Sequence, residues 1–77
     1  MRDYRGTRIP AHCHPLVRKL FEKMRDERIT KYDVAERAGY SDQTLRDWNR
    51  STPRLDTFVA CANVIGYDVV LVSRKDM

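Results

Sequence analysis

The residues with the most explicit chemistry lie between Ser41 and Asp47, in the run Ser-Asp-Gln-Thr-Leu-Arg-Asp. A side-chain amide pairs bidentately with adenine, a guanidinium pairs with guanine, and a carboxylate accepts from the cytosine amino group. Gln43, Arg46 and the two aspartates Asp42 and Asp47 bring all three abilities to one short segment. On a helix these four share an exposed face, with Ser41 and Thr44 beside them. Each also has a plainer use. Ser41 suits a helix N-cap, Asp42 suits the positive end of a helix dipole, and Gln43 and Arg46 suit any solvated face.

His12-Cys13-His14 places three metal-ligand types in a row. Consecutive residues do not wrap one tetrahedral ion, and no second cluster completes the set, so no metal is expected. Neither Cys13 nor Cys61 has a neighbouring histidine and carboxylate that would make it a nucleophile. With no acid–base pair elsewhere, the expectation is a chain without a cofactor and without enzymatic activity. Two cysteines outside any C-x-x-C pair also make no disulfide framework.

The elements that must position the Ser41–Asp47 run follow from period and punctuation. Residues 1–14 show no apolar period and read as a flexible basic arm containing Arg2, Arg5 and Arg8. Pro15 suits the first position of a helix. Leu16, Val17, Leu20, Phe21 and Met24 then recur at helical spacing, predicting a helix to about Arg28. Thr30 is a good N-cap for a second helix over about 31–38, which Gly39 would end in the left-handed conformation. A third helix is expected over about 42–49, anchored by Leu45 and Trp48. A fourth is expected over about 55–65, with Leu55, Phe58, Val59, Ala62 and Ile65 as its stripe and Gly66 at its end. Residues 67–74 are β-branched and read as a strand.

Ala35, Gly39, Leu45 and Trp48, with Val34 and a Pro53-containing link to an apolar fourth helix, form a spaced set. On these residues the chain resembles the phage-repressor-like helix-turn-helix family (the Cro/cI, or XRE, group) over roughly residues 16–66. The resemblance implies an all-α domain of four helices over 15–66. Its third helix would enter the DNA major groove and read bases with Ser41, Asp42, Gln43, Arg46 and Asp47. It implies phosphate contacts from Lys31 and Tyr32 at the start of the second helix, from Thr44, and from Arg50, Thr52 and Arg54 after the third. These contacts set register without reading sequence. The C-terminal strand is similar to that of antitoxin-type members.

A single strand leaves its backbone groups unpaired, and this chain offers no second strand. The expected partner is the same strand of a second copy, across a two-fold axis. Tyr67, Val69, Val70, Leu71 and Val72 of segment 67–77 would then form the homodimer interface.

The 77 residues allow one small domain. With 15 basic and 11 acidic residues the net charge is +4, which favours an anionic partner. That charge sits in residues 1–30, because residues 31–50 hold four basic and four acidic side chains. No apolar run is long enough to span a membrane and no secretory leader is apparent, so a soluble cytoplasmic protein is expected. Double-stranded DNA is the expected partner, read as a palindrome by a homodimeric repressor. The alternatives are an antitoxin that also holds a toxin, and a module that sequesters a transcription activator through its neutral third helix.

Overall fold

The computed structural model describes residues 6–74. Arg2 and Arg5 of the expected arm, and residues 75–77 of the expected dimerisation segment, lie outside the described residues. Four α-helices follow in order: α1 (Pro15–Asp26), α2 (Lys31–Ala38), α3 (Asp42–Arg46) and α4 (Leu55–Val64), with a single 3₁₀ turn (Asp47–Asn49) after α3.

Local chemistry explains most boundaries. Pro15 opens α1, and His14 caps it by accepting a hydrogen bond from the Leu16 amide through Nδ1 at 3.0 Å. Thr30 caps α2, its hydroxyl accepting from the Asp33 amide at 3.1 Å. Three helices end in the same way, with a residue of positive φ and a paired set of backbone bonds. After α1, Ile29 N–H donates to the Met24 carbonyl at 2.9 Å and Arg28 N–H to Arg25 at 3.1 Å. After α2, Tyr40 donates to Ala35 at 2.8 Å and Gly39 to Glu36 at 3.2 Å. After α4, Tyr67 donates to Ala62 and Gly66 to Asn63, both at 3.0 Å. This is the Schellman closure, which needs a left-handed residue. Gly39 (φ 87°) and Gly66 (φ 88°) adopt it freely, whereas Arg28 (φ 57°) holds it with a side chain attached.

The third helix differs from the expected 42–49. Its α-helical part stops at Arg46, and the chain tightens into the 3₁₀ turn. The cause is the Asp47 carbonyl, which accepts from Arg50 N–H, Ser51 N–H and the Ser51 hydroxyl at 3.0, 3.0 and 3.1 Å. The tightening leaves Trp48 buried. Its ring stacks on Phe21 of α1 at a centroid distance of 6.1 Å and lies 6.0 Å from Phe58 of α4. Val17, Leu20, Met24, Val34, Ala35, Leu45, Cys61, Ala62 and Ile65 complete the core. Leu16 and Leu55, expected on apolar stripes, are exposed instead. The buried face of α4 passes through Thr57, Phe58, Cys61 and Ala62 and so turns Leu55 outward.

One terminal segment also departs from expectation. Within the expected flexible arm, residues 7–13 lie on the body. Thr7 is buried, Ile9 and Cys13 pack against the core, and the Thr7 hydroxyl donates to the Ile29 carbonyl at 3.2 Å. Arg18 adds donations to the carbonyls of Pro10 and Ala11 at 3.3 and 3.1 Å. Residues 67–74 form no helix, and among the described residues they form no β-ladder. A lone segment has no partner for a ladder, and here Val70, Leu71 and Val72 stand open to solvent. Only the start is tied down. Tyr67 donates to Glu27 Oε2 at 3.0 Å, and the Lys23 ammonium lies 5.8 Å from its ring centroid.

Candidate nucleic-acid interface

The surface built around α3 depends on its inner side. Leu45 is fully covered, Trp48 nearly so, and Val34 and Ala35 of α2 present no exposed surface beneath them. Ala35 has no side chain beyond Cβ, which lets α3 lie close on α2. With the inner side fixed, Gln43, Arg46 and the edge of Asp42 and Asp47 face outward. The structure therefore brings four of the five expected base-reading residues onto one exposed face.

Those four side chains are engaged with one another. Arg46 Nη2 lies 3.0 Å from Asp42 Oδ2 as an i,i+4 ion pair. Gln43 Nε2 donates to Asp47 Oδ1 at 2.8 Å, again across i,i+4. The face thus displays two parallel donor–acceptor pairs, arranged side by side. Such exposed pairs are worth only about 0.3–0.5 kcal/mol each. A good bidentate base contact is worth roughly 1–3 kcal/mol, so both pairs can open to meet a better partner. Ser41 occupies the N-cap position but makes no capping bond with its side chain. Its hydroxyl instead lies 3.5 Å from that of Thr44, so the capping use expected of Ser41 is limited to its backbone carbonyl, which accepts from Thr44 N–H at 3.0 Å.

The residues expected at phosphates fall into two groups. Lys31 and Tyr32 open α2, with Tyr32 exposed. Arg50 and Thr52 are exposed beyond the 3₁₀ turn, and Arg54 precedes α4. Arg54 is not free of local charge, since its Nε lies 3.5 Å from Asp56 Oδ1 on an open surface. Lys31 is the unusual member. Its ammonium sits 4.4 Å from the centroid of the Phe21 ring, directly over a core aromatic. Burial, then the neighbouring charges of Arg46 and Arg8, hold it below the ordinary lysine range.

Sequence reasoning placed Arg8 in a flexible basic arm and did not single out Asn49 at this surface. Arg8 arrives because Thr7 and Ile9 on either side of it pack on the body, and no period in residues 6–14 announces that. Asn49 is turned by the 3₁₀ geometry of residues whose helical spacing predicts a regular turn. Among the described residues no group of three or more metal-ligating side chains comes together, and no helix is long and apolar enough to cross a membrane. No protein-family model matches the chain, and neither a curated protein nor a solved structure matches it.

Proposed function

We propose that this chain is a sequence-specific double-stranded DNA-binding regulator of the helix-turn-helix type, acting as a repressor. In this reading α3 lies in the major groove. Gln43 and Arg46 face purines, Asp42 and Asp47 face cytosine amino groups, and Ser41 sits at the groove edge. Lys31, Tyr32, Thr44, Arg50, Thr52 and Arg54 meet phosphates and set the register. The observation that carries it is the contrast across α3. Leu45 and Trp48 seal one side into the core, and the other side offers base-pairing chemistry to solvent. The exposed Val70–Val72 segment supports a two-fold dimer in which two tails pair as strands. Two copies of α3 would then stand about 34 Å apart, one turn of DNA.

Fluorescence anisotropy with the DNA upstream of the gene and a scrambled duplex, at about 50 and 200 mM salt, tests this. A preference for the upstream DNA of about a thousandfold, weakening with salt, is expected. Equal and weak binding to both duplexes overturns it. Arg46→Ala is expected to lose about 1–3 kcal/mol on the preferred site and to relax preference at one base pair. An equal loss on both duplexes reassigns Arg46 to phosphate.

One observation favours a second reading. The Asp42–Arg46 and Gln43–Asp47 pairs satisfy the polar groups of α3 internally, and the four side chains together carry a net charge of −1. A polar face without excess positive charge suits docking onto another protein, such as a transcription activator. Pull-down of a partner by the wild-type chain, lost in Gln43→Ala and unaffected by competing DNA, distinguishes it.

A further inference from the structure

Beside the outer face of α3, cations from three separate parts of the chain converge on one cleft. Residues 8–12 lie across the starts of α2 and the end of α3, leaving a cleft of about 330 Å³. Arg8, Lys31 and Arg46 line it, with His12 and Asn49 as further polar walls. Among the described residues neither Arg8 nor Lys31 has a carboxylate partner, and Arg46 has only the half-buried Asp42. Three like charges held around one open space repel one another and are stabilised by an anion placed between them. Lys31 cannot simply swing away, because its stem is half-buried and its ammonium rests over Phe21.

We propose that this cleft is a binding site for a phosphate group, held by Arg8, Lys31 and Arg46. A guanidinium suits a tetrahedral oxyanion because two parallel N–H donors match two of its oxygens. The Lys31 ammonium supplies a compact third charge, and the Asn49 amide can donate to a remaining oxygen. The site also borrows a side chain from the reading face. An anion in the cleft competes with Asp42 for Arg46, so occupancy changes what α3 presents. The phosphate can come from a DNA strand or from a free phosphate monoester, and both present the same oxygens to these residues. The cleft stands on its own geometry and does not require that α3 read bases.

Titration of the full chain with inorganic phosphate, against chloride at matched ionic strength, tests the site by two-dimensional amide NMR. Saturable shifts at Arg8, His12, Lys31 and Asn49, absent with chloride, are expected. Arg8→Gln is expected to weaken them at least tenfold while leaving the remaining spectrum in place, since Arg8 is exposed. The salt slope of duplex binding separates the two sources. If the strand phosphate occupies the cleft, Arg8→Gln lowers the slope by about 0.9. If a free monoester occupies it, Arg8→Gln weakens the phosphate shifts to the same degree and leaves the salt slope of duplex binding unchanged. Shifts no larger than with chloride, together with an unchanged slope, overturn the proposal. Failure of sequence-specific DNA binding alone leaves the phosphate titration intact and so overturns only the reading of α3.

Discussion

Phe21, Met24, Val34 and Leu45 retain no exposed surface in the helical body, whereas Val70, Leu71 and Val72 in the tail are 70, 103 and 79% exposed. The chemistry of these side chains is similar; their positions relative to a backbone that can satisfy itself are not. Each helix of the body closes its own hydrogen bonds and needs neighbours only for its apolar stripe. An extended segment closes none of its own, so without a second strand it can neither pair its backbone nor shelter its side chains. The body is finished within one chain. The tail has the apolar composition of an interior and the surroundings of a surface.

Several measurements would break or sharpen this contrast. The largest effect is expected from Trp48→Ala. Truncating a buried aromatic costs about 3–5 kcal/mol, which approaches the whole stability of a small domain. Circular dichroism should show the variant largely unfolded at 25 °C, and a retained cooperative melt would remove Trp48 as the keystone of the core. Val70→Asp combined with Leu71→Asp should act on the tail alone. Light scattering is expected to give the mass of two chains for the wild type and one for the variant, with helical content unchanged. An unaltered dimer would move the interface off the tail.

A smaller effect concerns pH. Burial pushes the Cys61 thiol up to about 11, from an unfolded value near 9.0. Because the folded state holds this proton more tightly, its contribution is complete below pH 9 and is lost as pH rises toward 11. Denaturant titrations should show a decline over that window that is flatter in Cys61→Ala; identical slopes would show that the thiol does not titrate with folding. The smallest effect is expected from Arg28→Gly, a change in the body's one described non-glycine residue with positive φ. Relieving that conformation should stabilise the fold by roughly 0.5–1 kcal/mol, read as a higher melting temperature. A loss would mean that the Arg28 side chain contributes more than its backbone costs.

What could be read from the sequence was what is decided locally. Pro15, Thr30, Gly39 and Gly66 each act within a turn of their own position, and each marks a real boundary. The apolar residues Phe21, Leu45, Trp48, Phe58 and Ile65 were legible as core because their spacing repeats. The end of α3 was not, since it depends on three donors meeting at the Asp47 carbonyl. The packing of residues 7–13 was not legible either. Isolated Thr7, Ile9 and Cys13 carry no period, and their burial comes from distant surfaces. Within the candidate site, the face was readable and its internal pairing was overlooked. Asp42 and Arg46, like Gln43 and Asp47, are four residues apart, a spacing at which helix side chains meet.

Trp48 is the chain's one tryptophan, and its place between Phe21 and Phe58 has an optical consequence. An indole shielded from water emits at shorter wavelength than one in contact with it, so loosening of the core should appear as a red shift from a single fluorophore. Trp48 also lies in the 3₁₀ turn that follows α3 and borders a second cleft with His12, Cys13, Asn49 and Arg50. The same signal therefore reports on the middle of the core and on the edge of the candidate binding surface. Both regions can therefore be followed through one emission spectrum, with no label attached to either.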